Sequence, residues 1–305
     1  MVQAGSDNEM NAASEWRLAI GRRVGAAYAA NPSVAAVIVG GSAARGHADR
    51  FSDIEIGAFW HRPPSEEERG AAAERAAAYV HRLYPYEEDE EVWSDDLFVG
   101  QRREGEPTTG VLIEIPHYTV EYVERVLSSV LERYDTSDSK QSLISAILAG
   151  VPVSGGEIIE GWRARAKVYP RGLGVAMVRR YAQIDHFWRT EMFQKRGGNM
   201  LLLYDTFVQV AKKLLYVLLG LNGVYYSGFK WVHLLAADMK VAPRDFERRM
   251  QGVFRLEPEQ GARELEALVE ETYALIEAEM PEVDVEWLRR VFRYKREPWD
   301  GAPQG

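Results

Sequence analysis

The sequence contains no cysteine. This absence excludes a disulfide framework and thiolate metal ligands, and it fits a reducing compartment. Long apolar runs are also missing, because the longest, around Leu214–Leu221, is far too short to span a bilayer. The segment Met1–Ser14 is polar and lacks the basic start and apolar core of a signal peptide. We therefore expect a cytoplasmic protein that does not contact a membrane.

The signatures of several common enzyme classes are absent as well. There is no P-loop of the form G-x-x-x-x-G-K-[ST], no G-x-S-x-G, and the six histidines show no H-E-x-x-H spacing. The glycines at positions 40, 41 and 46 do not have the G-x-G-x-x-G spacing of a dinucleotide-binding fold. These absences argue against P-loop chemistry, zinc hydrolysis and nicotinamide-dependent oxidation.

The chain is acidic, with 46 acidic and 37 basic side chains and a net charge of −9. An acidic protein does not attract a phosphate backbone, so nucleic acid is not the expected partner. A positively charged small molecule would suit it better. The length of 305 residues is enough for two domains, and 46% hydrophobic residues are typical of globular proteins.

Hydrophobic periodicity predicts an α+β protein with two domains. Residues 1–150 would form a small mixed β-sheet with flanking helices, and residues 151–305 a helical bundle, joined by a turn-rich connection at Val151–Gly156. The predicted helices of the first domain are Ala12–Ala30, Ser65–Tyr84, Thr119–Tyr134 and Ser139–Ala149. The predicted strands are Val37–Val39, Ser52–Ile56, Leu97–Val99 and Gly110–Pro116, with a turn at Arg102–Thr109.

The clearest functional signal begins where the apolar strand Val37–Val39 ends in Gly40, Gly41 and Ser42. Glycine permits backbone angles that other residues resist, so phosphate oxygens can approach the main chain there. Arg45 follows one short turn later and would add positive charge. This segment is a candidate phosphate-binding turn.

Two acids follow on the next strand. Side chains alternate faces along a strand, so Asp53 and Glu55 point the same way while Ile54 and Ile56 point into the core. Neighbouring carboxylates repel each other and are best tolerated when a cation lies between them. A surface turn followed by an edge strand with two exposed acids is the alternative interpretation.

The chain resembles the nucleotidyltransferase superfamily of DNA polymerase beta. The signature that carries the resemblance is an apolar strand, followed by Gly41-Ser42 and then by Asp53-Ile54-Glu55. Within that superfamily the chain looks most like kanamycin nucleotidyltransferase and related small bacterial enzymes, over residues 37–225. The resemblance implies transfer of a nucleoside monophosphate, with ATP as the expected donor, to an acceptor hydroxyl. It also implies Mg²⁺ as the cofactor.

The resemblance assigns roles to the residues of the two signals. Asp53, Glu55 and a third acid from the neighbouring strand, Glu114, would hold two Mg²⁺ ions about 3.5–4 Å apart. Gly41 and Ser42 would bind the β- and γ-phosphates, and the Arg45 charge would assist them. Glu114 lies in the nearly continuous apolar strand GVLIEIPHY, where a carboxylate needs a partner. A buried salt bridge to an arginine is the other interpretation of Glu114.

Two further roles fall in the helical region. Enzymes of this kind use a glutamate on the first long helix of the second domain as general base. Here no glutamate falls in place, and Asp185, in the predicted helix Leu173–Lys195, is the nearest acid. A helix-surface ion pair between Asp185 and Arg189 is the alternative. Lys230 would contact the triphosphate, with Tyr225 or Tyr226 stacking on the base; a surface lysine beside core aromatics is the alternative.

We therefore predict a nucleotidyltransferase whose acceptor is a small molecule, such as an aminoglycoside-like antibiotic. A protein or RNA acceptor, as in toxin–antitoxin enzymes, and a catalytically silent nucleotide-binding module are the alternatives. Asp205, in the apolar segment LLLYDTFVQV, would face either the cleft or a buried basic partner. The aromatic-rich helical domain could form a homodimer face as easily as a core.

Overall fold

The computed structural model describes residues 10–101, 109–237, 239–297 and 301. The chain divides into two compact units. One runs to Arg133 and includes Ser139–Val168, and the other comprises Tyr134–Asp138 and the chain from Tyr169 onwards. A mixed sheet with many helices confirms the predicted α+β class.

The first unit contains the six strands found among the described residues. Its elements in chain order are α1 (Ala12–Ala29), β1 (Val34–Val39), α2 (Gly41–Ala44), β2 (Ile54–Trp60), α3 (Glu66–Arg75), β3 (Tyr79–Leu83), β4 (Trp93–Gln101), β5 (Thr109–Thr119), α4 (Val120–Glu132), α5 (Asp138–Ala149), β6 (Val151–Ser154) and α6 (Gly156–Ala166). The strand order is β3-β4-β5-β2-β1-β6. The pair β2–β5 is parallel and the other pairs are antiparallel.

Helix α1 covers one face of the sheet at close range. It begins at Asn11, whose side chain accepts a hydrogen bond of 2.8 Å from the Ser14 N–H. A Cβ atom added at Gly21 would lie 2.9 Å from the Val39 side chain. The helix therefore approaches β1 more closely than a larger residue would permit. The buried core on this face includes Ile54 and Ile56, as their alternation predicts.

The predicted helix Ser65–Tyr84 is wrong in its second half. A capping box between Ser65 and Glu68 starts α3, as the sequence indicates. The helix ends at Arg75 because Ala77 adopts the left-handed region, with φ of 52°. The following residues form β3, which pairs with β4. The strand predicted at Leu97–Val99 is the central part of the longer β4.

The predicted connection at Val151–Gly156 is also corrected, since its first four residues form β6. Ile38 and Val39 of β1 pair with Pro152 and Val151, so this segment belongs to the sheet. For that reason the compact units divide after Val168 rather than at residue 150. The predicted turn Arg102–Thr109 lies, apart from its last residue, outside the described residues.

The second unit is helical. Its elements are α7 (Arg171–Tyr181), α8 (Arg189–Lys195), α9 (Met200–Asn222), α10 (Val232–Ala237), α11 (Phe246–Val253), α12 (Pro258–Glu279) and α13 (Val285–Arg293). Helices α7 and α9 cross at two glycines, since a Cβ atom at Gly174 would lie 2.7 Å from the Gly220 carbonyl oxygen. Every helix in the described part of the chain is too short or too polar to cross a bilayer.

A single helix over 173–195, as predicted, does not form. Helix α7 ends at Tyr181 and α8 begins at Arg189. Between them, His186 has a φ of 60°, which interrupts regular helical geometry. Asp185 therefore lies in a connection rather than on a helix surface.

Candidate functional site

The candidate phosphate-binding turn follows β1 directly. The Gly40 N–H donates a 2.8 Å hydrogen bond to the Glu55 carbonyl oxygen, which joins the turn to β2. Gly41 then adopts a φ of +62°, and the chain makes the short helical turn α2, which includes the buried Ser42. The backbone at Gly41 suits glycine and disfavours other residues. The sequence interpretation of a tight glycine turn after β1 is confirmed.

The Glu55 side chain lies against this turn. A Cβ atom at Gly41 would be 2.7 Å from both Cδ and Oε1 of Glu55. The bare Cα of Gly41 therefore leaves room for the Glu55 carboxylate. A side chain at this position would displace the carboxylate as well as strain the turn.

Arg45 ends the same turn and is half-buried. Its Nη2 donates a 3.2 Å hydrogen bond to the Ser145 hydroxyl on α5. Burial lowers the pKa of the Arg45 guanidinium, and the negative charge of Glu55 opposes that effect. The turn thus has a positively charged group within electrostatic range of Glu55. The role of Arg45 in binding phosphate stays a prediction.

The sheet register places three acids in one row. Glu55 on β2 is the register partner of Glu114 on β5. Glu114 is also the register partner of Asp96 on β4. Register partners point to the same face of a sheet, so Asp96, Glu114 and Glu55 form an acidic row across three adjacent strands. The Tyr84 hydroxyl donates a 3.0 Å hydrogen bond to Asp96.

Asp96 was not identified by sequence reasoning. It lies in the acidic stretch YEEDEEVWSDD, of which Glu87–Glu90 are exposed and the last two acids belong to β4. The alternation of strand faces is the signal that separates Asp96 from Asp95. That signal becomes usable only when the start of β4 is known.

The donor set can be compared with what Mg²⁺ requires. No group of three or more His, Asp or Glu side chains in the described part of the chain is arranged to hold a metal ion. Mg²⁺ keeps several waters, however, and is usually bound through one or two carboxylates and substrate phosphates. The paired Glu55 and Glu114 fit that requirement. The assignment of Asp53, Glu55 and Glu114 as metal ligands stays a prediction.

Asp53 precedes β2 and is half-buried. The loop before it is attached to α1, because the Arg17 Nε donates a 2.9 Å hydrogen bond to the Ser52 carbonyl oxygen. Burial lowers the pKa of Arg17, and the negative charges of Asp49 and Asp53 oppose that effect. Asp53 therefore interacts electrostatically with a cation of α1.

A buried polar network lies on the other face of the same strands. Asp95, which is completely buried, forms an ion pair with Arg69 of α3 and accepts a 3.2 Å hydrogen bond from the Tyr28 hydroxyl. The Nε2 atom of the buried His117 lies 2.8 Å from Asp95 Oδ2. The indole N–H of Trp60 donates a 3.1 Å hydrogen bond to Nδ1 of His117. Because an indole nitrogen only donates, Nδ1 accepts and Nε2 carries the proton. Burial lowers the pKa of His117, which agrees with this neutral form.

This network bears on the interpretation of Glu114 as one half of a buried salt bridge. Asp95 and Arg69, one strand away, form a buried carboxylate–arginine pair. Glu114 itself is half-buried. The sequence principle that a buried acid needs a basic partner also holds for Asp95, which sequence reasoning did not single out. Both interpretations of Glu114 stay predictions.

The remaining predicted residues lie in the second unit. Asp185 is exposed and accepts hydrogen bonds of 2.9 and 3.0 Å from the Gln183 side chain. The alternative of a helix-surface pair with Arg189 is wrong, because the two residues do not share a helix. Lys230 is exposed, and Asp205 is exposed on α9, so a buried basic partner for Asp205 is excluded.

The tyrosines proposed to stack on a base differ in environment. Tyr225 is 7% exposed and packs against Tyr169, with ring centroids 4.8 Å apart. Tyr226 is half-buried and packs against Tyr216 and Phe229. Of the two, only Tyr226 retains substantial exposed surface. The assignments of Lys230 and of a stacking tyrosine stay predictions.

No protein-family model and no curated protein sequence matches the chain. Among solved structures it is similar to a nucleotidyltransferase-like protein from Exiguobacterium sibiricum, with 13% identity, a TM-score of 0.40, and coverage of 92% of this chain and 81% of that one. It is also similar to a cytoplasmic RNA terminal U-transferase, with 13% identity, a TM-score of 0.26, and coverage of 59% and 49%.

A third similar structure is the Cid1 poly(U) polymerase with bound MgGTP, with 16% identity, a TM-score of 0.26, and coverage of 59% and 52%. The chain spans about half the length of these two transferases. Identities and TM-scores at this level assign neither a family nor an activity to the chain.

Proposed function

We propose that this protein is a magnesium-dependent nucleotidyltransferase. It would transfer a nucleoside monophosphate, with ATP as the expected donor, to a hydroxyl of a small-molecule acceptor. The observation that supports this most is the pairing of Glu55 with Glu114 beside the Gly41–Ser42 turn. The turn that we propose accepts an anion and the two carboxylates that we propose bind the metal both lie at the start of β2.

Asp53, Glu55 and Glu114 are the residues that would hold Mg²⁺. When bound, the metal would offset negative charge on the transferred phosphate and on the departing pyrophosphate. The carboxylate of Glu55 now lies against Gly41. Because two anions repel each other, a phosphate can occupy the turn only after this carboxylate rotates away from Gly41. Rotation towards Glu114 would bring the two acids together.

The turn would bind and orient the triphosphate. Gly41 leaves the backbone accessible, Ser42 offers a hydroxyl, and the Arg45 guanidinium supplies positive charge. Orientation of this kind fixes the phosphate for in-line attack by the acceptor hydroxyl and accounts for a large part of the acceleration. Lys230 remains our candidate for a further triphosphate contact, and Asp185 for the base that accepts the hydroxyl proton.

We propose a cationic acceptor of the aminoglycoside type. The acidic row Asp96–Glu114–Glu55 and the net charge of −9 both favour a positively charged molecule. A metal ion bound by Glu55 and Glu114 would leave Asp96 to contact an ammonium group of the acceptor. Protein and RNA acceptors remain the alternatives that the experiment must separate.

The test is pyrophosphate release from each of the four nucleoside triphosphates with Mg²⁺, with and without pooled aminoglycosides. We expect release only when an acceptor pool is present, and mass spectrometry of the product would identify the modified hydroxyl. If pyrophosphate release depends on added RNA or protein, the proposed acceptor class is wrong and the proposed reaction stands. Metal-dependent triphosphate binding without release, for any acceptor, would favour the silent module.

Two variants separate the metal site from the turn. Asp53→Asn should fold normally and lose pyrophosphate release, because the loss of one carboxylate weakens metal binding. Titration with Mn²⁺, followed by paramagnetic resonance, would measure the weakened binding. Ser42→Ala should weaken triphosphate binding yet keep Mn²⁺ binding, because it removes the hydroxyl of the turn and leaves Gly41 and Glu55 unchanged. A folded Asp53→Asn protein with normal turnover would exclude the proposed metal site.

A further inference from the structure

The amino-terminal half of α9 presents an apolar surface. Leu201 is 80% exposed, and Met200, Leu202 and Val208 are between 37% and 43% exposed. Met200, Leu201, Tyr204, Asp205 and Val208 line one open depression. Single exposed apolar residues are common, but a contiguous patch of them usually marks an interaction surface.

The exposed residues of α9 follow a regular spacing. Leu201, Asp205, Val208 and Lys212 are separated by four, three and four residues and are all exposed. Residues three and four apart lie on the same side of a helix, so these four form one seam. The opposite side of α9, including Leu203, Phe207, Val210 and Leu214, is buried in the helical core. The seam is therefore the free face of a helix whose other face is already packed.

We propose that the α9 seam, defined as Leu201, Asp205, Val208 and Lys212, binds the same seam of a second copy of the chain with the two helices antiparallel. In a two-fold arrangement of this kind every contact occurs twice. Leu201 lies opposite the partner's Lys212, and Asp205 lies opposite the partner's Val208. The alkyl part of the lysine then covers the leucine, as long charged side chains do on apolar surfaces.

The charges of the seam select this direction. In the antiparallel arrangement Asp205 lies about one helical turn along the seam from the partner's Lys212, which long side chains span, so two symmetric ion pairs form. In a parallel arrangement each residue would face its own copy, and two aspartates and two lysines would be juxtaposed. Like charges at an interface are unfavourable, so the parallel dimer is disfavoured.

Charge reversal tests both the partner and the direction. Asp205→Lys and Lys212→Asp each replace the ion pairs of the antiparallel dimer by two like charges about one turn apart, and each should raise the dissociation constant about tenfold or more. The double variant Asp205→Lys/Lys212→Asp restores opposite charges and should restore dimerisation. Arg290→Asp, on the exposed face of α13, is the matched control and should dimerise like the unchanged protein.

Sedimentation velocity across roughly 1–200 µM protein would measure the dissociation constant, a range suited to a small interface. Circular dichroism would verify that each variant is folded, as expected for exposed substitutions. The proposal requires a dimer for the unchanged chain, loss in both single variants and recovery in the double variant. A monomer throughout the range, or a dimer insensitive to the single reversals, would overturn it. Single variants that are not rescued by the double variant would exclude the antiparallel direction.

Discussion

Replacing Asp95 by asparagine removes one negative charge from the buried network and leaves the size of the side chain nearly unchanged. Asp95 is completely buried and Arg69 is 3% exposed, so solvent cannot replace the lost carboxylate. Removal of one partner from a buried ion pair leaves an uncompensated charge, which typically costs about 3–5 kcal/mol. We expect Asp95→Asn to lose that much free energy of unfolding.

The assay is urea denaturation followed by circular dichroism, supported by thermal unfolding. A loss of 1 kcal/mol lowers Tm by about 2–4 °C in a unit of this size, so Asp95→Asn should unfold roughly 6–20 °C below the unchanged protein. The altered free energy should appear in the midpoint of the urea transition rather than in its slope.

Asp96→Asn is the matched control, because it makes the same chemical change at the next residue of β4. Asp96 is half-buried on the other face and accepts a hydrogen bond from Tyr84. Loss of a partly solvated charge should cost about 1 kcal/mol or less. Equal stabilities of the two variants, or a loss below about 1 kcal/mol for Asp95→Asn, would refute the reasoning about the buried charge.

Two further predictions concern stability. Burial lowers the pKa of His117 below its ordinary 6.5. As the pH falls below about 6.5, the unfolded chain therefore binds a proton at this histidine that the folded chain does not. The free energy of unfolding should then decline by up to about 1.4 kcal/mol per pH unit. An NMR titration of the His117 ring would check this, and a midpoint at or above 6.5 would contradict it. Gly174→Ala should destabilise the second unit by about 1–3 kcal/mol, because its Cβ would lie 2.7 Å from the Gly220 oxygen. Gly161→Ala, in an open position on α6, should instead stabilise by about 0.5–1 kcal/mol, and equal effects in a thermal scan would argue against the close helix crossing.

Local sequence patterns were sufficient to predict the conformation of part of the candidate site. The turn at Gly41 could be predicted because an apolar strand followed by glycines and serine has few other conformations. Strand alternation alone predicts that Ile54 and Ile56 are buried while Glu55 faces away from the core. Asp53 precedes β2, so its direction stays a prediction. The start of α3 could be read from Ser65 and Glu68, since a capping box depends on neighbours only.

Predictions failed where a distant partner decided the outcome. The residues of β3 directly follow a helix-forming segment, so they were predicted to continue the helix. Pairing with β4 makes them a strand. Likewise β6 looked like a turn because four residues carry little pattern without β1 beside them. The connection that contains Asp185 was predicted to be helical because propensity cannot show a left-handed residue such as His186.

The sequence by itself determined the α+β class, the glycine turn and the acids that follow it, because these depend on residues close together in the chain. The tertiary structure decided which acids stand in one row and which are buried. Asp95 and Asp96 are neighbours in sequence, yet one is neutralised by Arg69 within the core and the other lies beside Glu114 on the opposite face. Strand register makes that distinction, and register is set by hydrogen bonds and core packing between segments that the linear sequence does not place together.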